Sequence, residues 1–168
     1  RPSRRDNHPL ATTGQWIMNS QYVPISGRAS SRHCAASFDP SFAAAYDFLF
    51  ADRALLDLSS NESIDNFCAS HKPAVVINCA AYTAVDKAET EKDLAYQINA
   101  TAVGKLATYC NNINALFITI STDYVFNGNG TTPYLPADAT HPVNYYGETK
   151  AAGEQLAITN NPNSIIIR

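Results

Sequence analysis

The sequence predicts an α/β fold in which a doubly wound parallel sheet is covered by helices. Short apolar runs of strand type recur along the chain, and helical segments separate them. This alternation is typical of a parallel sheet with helices on both faces. With 168 residues, 45% of them apolar and 16% charged, the chain is also long enough to bury one sizeable core.

The strand candidates are four short runs rich in Val, Ile, Leu, Phe and Tyr. They are 46–50, 74–79, 116–120 and 164–167. We expect these four runs to form adjacent parallel strands.

Three segments between the runs have helical patterns. The first, near 60–71, begins with a predicted capping box in which Ser59 accepts from the amide of Glu62. The third, near 145–159, is rich in alanine. The second, near 90–111, has apolar residues four apart that form one stripe facing the sheet: Leu94, Ile98, Ala102, Leu106 and Cys110.

The first 45 residues lack such periodicity. They are rich in Ser, Arg, Asn and Pro, with only short apolar patches such as Trp16-Ile17-Met18. We therefore expect an irregular or diverged segment over 1–45 and the α/β domain over 46–168. Because the chain opens on Arg1 and stops at Arg168 directly behind an apolar run, we expect a piece of a longer protein.

Composition excludes several classes of function. A formal net charge of −3 provides no broad basic field for nucleic acid. No stretch has the roughly 18 apolar residues of a membrane helix. The cysteines have no metal-ligand or disulfide spacing, so we expect buried thiols, no bound metal of that type, and a cytoplasmic protein; they are Cys34, Cys68, Cys79 and Cys110.

Tyr146 and Lys150 are spaced i, i+4, so a helix places both side chains on one face. A phenol is a poor proton donor at neutral pH, and a nearby ammonium lowers its pKa. Such a tyrosine can act as a general acid. The spacing alone is more often that of a surface tyrosine beside a solvated lysine.

Hydroxyl side chains follow the predicted strand 116–120. Ser121 and Thr122 lie where that strand ends, and open α/β sheets bind ligands at the carboxyl ends of their strands. Thr122 could donate to a substrate carbonyl oxygen beside Tyr146. The alternative is that these hydroxyls cap a turn or a helix.

Three blocks of the sequence, in order, resemble a known family. They are NCAAYTAVDKAE at 78–89, ISTDYVF at 120–126 and NYYGETKAAGE at 144–154. Together they resemble the dTDP-4-dehydrorhamnose reductase family, which are extended short-chain dehydrogenases/reductases of the sugar-nucleotide type. The resemblance covers about residues 46–168 and implies a Rossmann-like fold.

The resemblance implies that Thr122, Tyr146 and Lys150 form the catalytic triad. Tyr146 would protonate the C4 oxygen of the keto sugar, Lys150 would hold the nicotinamide ribose and tune the phenol, and Thr122 would polarise the carbonyl. Asp123 would touch the sugar. The cofactor contacts that it implies are Asp57 and Leu58 at the adenine, and Ala81, Tyr82 and Thr83 along the pyrophosphate and ribose.

The implied reaction is reduction of dTDP-4-dehydro-β-L-rhamnose to dTDP-β-L-rhamnose with hydride from NADPH or NADH. The resemblance is also compatible with a homodimer of the complete protein and with Mg²⁺. The choice between the two cofactors stays open, since Asp52 could accept from a ribose 2′-hydroxyl while Arg53 could pair with a 2′-phosphate. Both are also typical of a solvated loop pair.

The sequence departs from the family at both ends. The family begins with a strand and a glycine-rich turn that holds the pyrophosphate. Thr13-Gly14-Gln15 is similar to part of that turn, but Trp16-Ile17 follows where Leu-Gly is expected. The family's carboxyl-terminal substrate domain lies beyond Arg168, so we expect the fragment by itself to be inactive.

Two other interpretations compete with the reductase. One is a nucleotide-sugar epimerase or dehydratase of the same fold; the dehydratases carry an acidic pair after the threonine, whereas here Tyr124 follows Asp123. The other is a non-catalytic binding or regulatory homologue. Fold alone cannot separate these functions.

Overall fold

The computed structural model of this chain describes residues 15–19 and 47–168. Its centre is a five-stranded sheet in which every neighbouring pair is parallel. The strands are β1 (Gln15–Asn19), β2 (Asp47–Ala51), β3 (Val75–Asn78), β4 (Leu116–Ile120) and β5 (Ile165–Ile167), in the spatial order β2-β1-β3-β4-β5. The predicted α/β class and the parallel arrangement of the four runs are confirmed.

Strand β1 corrects the expectation that the first 45 residues are irregular throughout. It lies between β2 and β3, so those two strands are not adjacent as predicted; Ile17 pairs with Leu49 on one side and with Val76 on the other. Three apolar residues in a row carry too little periodicity to distinguish a strand from a loop. Backbone pairing on both sides is what makes this segment a strand.

The position of β1 also overturns the comparison of Thr13-Gly14-Gln15 with a pyrophosphate turn. Gln15 is the first residue of β1, whereas the turn of the family follows its first strand. The segment that follows β1, over 20–46, lies outside the described residues. The expected absence of a glycine-rich turn there therefore stays a prediction.

The helices pack as one layer. Their bounds are α1 (Asn61–Ser70), α2 (Val85–Ala88), α3 (Lys92–Tyr96), α4 (Ala102–Asn112) and α5 (Tyr145–Asn160), with a π-helical turn at Gln97–Thr101 between α3 and α4. Helix α4 contacts α1, α5 and strands β3 and β4. Whether the second face of the sheet is covered, as predicted, depends on residues outside the described ranges.

The cap of α1 differs by one residue from the predicted one. Ser60, not Ser59, is the N-cap, and its hydroxyl accepts from the amide of Ser63 at 3.2 Å. The Ser59 hydroxyl instead donates to Asp57 at 2.6 Å. Because Asp57 engages Ser59 in the preceding turn, the helix begins one residue later than the capping-box pattern predicts.

The predicted apolar stripe holds from Ile98 onward. Ile98, Ala102, Leu106 and Cys110 are buried, whereas Leu94 is 39% exposed. The π-helical turn at Gln97–Thr101 adds a residue to one turn, which rotates the preceding helix relative to the following one. Leu94 is thereby moved off the buried face.

The core lies between the sheet and this helix layer, where Phe117, Leu106 and Ile64 are almost completely buried. Cys68, Cys79 and Cys110 form no disulfide bond, and Cys34 lies outside the described residues. Burial raises the pKa of Cys68 to about 11 and that of Cys110 to about 12, so neither is a reactive thiolate at neutral pH. Within the described ranges, no helix is long and apolar enough to cross a membrane.

Candidate active site

Thr122 follows β4 and caps the short 3₁₀ turn Asp123–Val125. Its hydroxyl accepts from the amide of Tyr124 at 3.2 Å and donates to the Asp123 carboxylate at 3.2 Å. The Thr122 hydroxyl therefore caps a turn, which is the alternative role that the sequence allowed for it. This does not exclude a role in chemistry, because the Thr122 side chain also lies close enough to Tyr146 to lower the pKa of its phenol.

Helix α5 brings Tyr146 to this point. Asn144 caps the helix by accepting from the amide of Gly147 at 2.8 Å. The Tyr146 side chain is 8% exposed, with its ring packed in the core and against the edge of Tyr124. This contact with Tyr124 places the Tyr146 ring beside the turn that follows β4.

Burial raises the pKa of Tyr146 above its ordinary value. The hydrogen bond with Thr122 acts in the opposite direction, while Asp123 and Tyr124 raise the pKa further. The expectation that Lys150 lowers this pKa is not met in this state. The Lys150 ammonium instead donates to the backbone carbonyl of Ile120 at 2.7 Å.

Lys150 is 4% exposed and belongs to the same face of α5. Burial lowers the pKa of its ammonium to about 8, and Glu154 partly opposes this by raising it. An ammonium has three N–H donors, of which the Ile120 carbonyl accepts one. A buried lysine with further donors at the end of β4 fits the ribose hydroxyls of a nicotinamide nucleotide.

The pKa of Lys150 has a consequence for stability. Between pH about 8 and the ordinary lysine value of 10.5, the unfolded chain binds a proton that the folded chain has released. Stability contributed by this group therefore rises with pH across that window. We expect the free energy of unfolding of the wild type, relative to Lys150→Met, to increase from pH 8 to pH 10 in urea titrations.

The exposed Lys72 provides the control for this titration. The same comparison with Lys72→Met is expected to change much less over the window. If the free energy of unfolding of the wild type instead fell relative to Lys150→Met as the pH rises, the lowered pKa of buried Lys150 would be contradicted.

Asn99 is a site residue that sequence reasoning missed. It lies in the π-helical turn, is 1% exposed, and accepts from the amide of Tyr82 at 2.8 Å. Its amide nitrogen donates to the Tyr82 carbonyl and to the Thr149 hydroxyl, each at 3.0 Å. Asn99 thus ties the loop after β3 to the helix that carries Tyr146 and Lys150. An asparagine within the predicted apolar stripe segment was the available signal.

Replacing Asn99 with leucine is expected to destabilise the fold by about 2–4 kcal/mol. The substitution leaves both backbone groups of Tyr82 buried without this partner, and each unsatisfied buried group costs about 1–3 kcal/mol. Urea unfolding measures the loss. Asn111→Leu, at an exposed position of α4, is the matched control; equal stability of the two variants would contradict the proposed role of Asn99.

The loop after β3 contains the predicted cofactor contacts Ala81, Tyr82 and Thr83. Ala81 and Tyr82 are buried, and Thr83 is exposed. The Tyr82 hydroxyl donates to Glu91 at 2.8 Å, and burial raises the pKa of Tyr82 to about 12. Because the side chain and both backbone groups of Tyr82 are engaged inside the protein, Thr83 is the residue of this loop that faces solvent.

The other predicted contacts, Asp57 and Leu58, follow β2. The Asp57 carboxylate accepts from the Ser59 amide and hydroxyl and from Arg53. Burial works to raise the pKa of Asp57, but these hydrogen bonds and the Arg53 charge outweigh it and lower the pKa. The Leu58 side chain is completely buried, so it cannot line an open adenine site in this conformation.

The cofactor-selecting pair Asp52 and Arg53 is committed to local contacts. Asp52 accepts from the amides of Ala54 and Leu55, and Arg53 pairs with Asp57 at 3.1 Å. These contacts match the loop-pair alternative and leave the choice between NADH and NADPH open.

Asp57 and Lys150 lie at the ends of different strands of one sheet, Asp57 after β2 and Lys150 at the end of β4. Strands β1 and β3 lie between β2 and β4, so the distance from β2 to β4 is about 14 Å at 4.8 Å per strand. A ligand that reached both Asp57 and Lys150 would have to be as extended as a dinucleotide. Among the residues that the structure describes, no group of three or more His, Cys, Asp or Glu side chains could hold a metal, so nothing supports Mg²⁺.

The parallel sheet, its crossover helices and the cluster of Thr122, Tyr146 and Lys150 define a Rossmann-like α/β domain. Residues 40–168 match the family model described as "RmlD substrate binding domain". The chain belongs to this family.

Relatives in the family carry the name dTDP-4-dehydrorhamnose reductase. The chain is 46% identical to the one from Shigella flexneri over 112 residues, which are 67% of this chain and 38% of that protein. It is 50% identical to the one from Escherichia coli K12 over 99 residues, 59% of this chain and 33% of that protein. The chain therefore spans about a third to two fifths of the length of these relatives.

A solved dTDP-4-dehydrorhamnose reductase from Bacillus anthracis, in complex with NADP, superposes with a TM-score of 0.78 at 31% identity. The match covers 92% of this chain and 52% of that one. A Helicobacter pylori ADP-L-glycero-D-manno-heptose-6-epimerase has a TM-score of 0.70 at 13% identity, which shows a shared fold alone.

Proposed function

We propose that this chain carries the cofactor-binding and proton-donating part of a reductase. The reaction is reduction of dTDP-4-dehydro-β-L-rhamnose to dTDP-β-L-rhamnose. The observation that supports it most is the position of Tyr146 against Tyr124, in the turn directly after β4 and Thr122, with buried Lys150 of the same helix donating to the Ile120 carbonyl. The names of the relatives support the substrate, and the NADP complex of one of them favours NADPH.

Tyr146 and Thr122 act together on the C4 carbonyl oxygen of the sugar. Both hydroxyls can donate hydrogen bonds to that oxygen, which stabilises the negative charge that develops on it. The hydride for C4 would come from a reduced nicotinamide held by these residues. The Tyr146 hydroxyl gives its proton to the oxygen, so a secondary alcohol and a phenolate result. Because its pKa is raised, the buried phenol is a weak acid until a cation near it lowers that pKa.

Lys150 can supply that cation. When its ammonium turns from the Ile120 carbonyl toward a ribose hydroxyl, it remains at the end of β4 and faces the tyrosine one helical turn earlier. In the proposed complex it holds the ribose and stabilises the phenolate. Asp123 contacts the sugar, and Asp57 and the loop 81–83 hold the adenine and pyrophosphate parts. Because both substrates are charged nucleotides, we place the reaction in the cytoplasm.

Spectrophotometry of NADPH oxidation tests the proposal. With the full polypeptide and dTDP-4-dehydro-β-L-rhamnose, we expect one NADPH consumed per sugar reduced, with dTDP-β-L-rhamnose as the product. NADH in place of NADPH measures the cofactor preference. A polypeptide that binds NADPH and leaves the keto sugar unchanged would favour the non-catalytic alternative.

A further inference from the structure

A buried carboxylate lies next to the proposed active site without any role in the mechanism above. Glu154 is one helical turn beyond Lys150 on α5 and is 6% exposed. Its carboxylate accepts from the Ser121 hydroxyl and from Arg168, with Nη2 of the arginine at 2.6 Å and Nε at 2.9 Å. A buried charge with this many partners is held in one position.

The partners of Glu154 join three parts of the chain. Ser121 follows β4, Arg168 follows β5, and the Ser121 amide donates to the Ile167 carbonyl at 2.6 Å. Arg168 also donates to the Pro136 carbonyl at 3.2 Å and lies 5.2 Å from the centre of the Phe126 ring. The carboxylate therefore fastens the ends of β4 and β5 to α5.

Ser121, which Glu154 holds in place, lies in the chain between the residue that contacts Lys150 and the residue that lies next to Tyr146. Ser121 is preceded by Ile120, whose carbonyl accepts from Lys150. It is followed by Thr122, which caps the turn whose Tyr124 ring packs against Tyr146. A displacement of Ser121 would move both. We propose that Glu154 is a positioning residue of the reductase, which fixes the end of β4 against α5 and sets the electrostatic surroundings of Lys150. This inference rests on the proposed function.

The proposed electrostatic effect of Glu154 on Lys150 can be tested through the charged and titratable groups near the lysine. On one side lie the Glu154 carboxylate of α5 and its partner Arg168 at the end of β5. On the other side lie the Tyr146 phenol of α5 and Asp123 in the turn after β4. Glu154 raises the pKa of Lys150 against the effect of burial. Loss of the carboxylate should therefore lower that pKa, and loss of the Arg168 cation should raise it.

The decisive variants are Glu154→Gln and Arg168→Met, with Glu148→Gln as the control. Glu148 is an exposed glutamate of the same helix, so its substitution makes the same change of charge on the outer face. NMR of the isotope-labelled full chain follows the titration of Lys150 through its side-chain resonances. These resonances are assigned by their loss in Lys150→Arg. The pH profile of NADPH-dependent reduction gives the same midpoint in the working enzyme.

We expect the Lys150 midpoint to fall by about one pH unit in Glu154→Gln, to rise in Arg168→Met, and to stay unchanged in Glu148→Gln. The basic limb of the rate profile should move in the same directions. A purely structural role would lower stability and rate at every pH without moving either midpoint, and that result would overturn the inference.

The NMR titration separates this inference from the proposed function. If the wild type shows no reduction but the Lys150 midpoint moves as expected, the reductase proposal fails, while the electrostatic control of Lys150 by Glu154 stands. If reduction is seen and the midpoint stays fixed in both variants, Glu154 has no such control. Should Glu154→Gln fail to fold, the upward shift expected in Arg168→Met still decides.

Discussion

Substitution of Tyr146 by phenylalanine is expected to lower the rate of keto-sugar reduction by about 10²–10⁴-fold. The change removes the proton that the C4 oxygen must receive and leaves the ring in its packed position in the core. NADPH binding should be nearly unchanged, because the hydroxyl contributes at most one hydrogen bond to the ground state. The rate should fall while affinity is retained.

Two measurements check this result. NADPH oxidation gives kcat and KM, and calorimetry gives the dissociation constant of NADPH. Tyr145→Phe is the matched control, since Tyr145 is the adjacent tyrosine of α5 and packs against Lys92 rather than Thr122. Full activity in Tyr146→Phe, or an equal loss in Tyr145→Phe, would refute Tyr146 as the proton donor.

Substitution of Gly147 by alanine is expected to separate Tyr146 from Thr122. A Cβ at Gly147 would overlap the backbone carbonyl oxygen of Tyr124, which lies in the turn after β4. Backbone cannot move aside as a side chain does, so the first turn of α5 must shift. Overpacking of this kind costs about 1–3 kcal/mol of stability. A shift of about 1 Å at the reacting groups can lower the rate by about 10²-fold.

Thermal unfolding and the reductase assay measure the two effects. Gly104→Ala is the control, because a Cβ there meets only side chains of Leu156 and Asn160, at 3.2 Å or more. We expect Gly104→Ala to keep its activity. A fully active and equally stable Gly147→Ala protein would show that α5 does not need this close approach.

Much of the sheet was predictable from the sequence alone. Strand β4 begins and ends where the apolar run 116–120 does, and β3 lies within the run 74–79. Strand β3 is mostly buried, β4 buries Phe117 and Thr119, and both are rich in β-branched residues, so their local pattern and their place in the fold agree. Strand β1 was missed because its pairing with β2 and β3 joins residues far apart in the chain.

The places of the candidate site residues in the fold were also predictable, but their electrostatics were not. The spacing of Tyr146 and Lys150 on one helix and the hydroxyls after β4 required only local structure. Whether the ammonium lowers the pKa of the phenol depends on where it lies, and the Ile120 carbonyl holds it. That carbonyl comes from another element, so no spacing along α5 could reveal it.

The sequence by itself thus determined the class of fold, four of the parallel strands (β2 to β5), and the residues at the end of β4. The tertiary structure alone decided the place of β1, the clamp made by Asn99, and the burial of Glu154 between Ser121 and Arg168. The physical reason is the distance along the chain between the residues in contact. Periodicity and spacing reflect contacts within one helix or strand, whereas burial, pKa shifts and buried hydrogen bonds arise where distant segments meet.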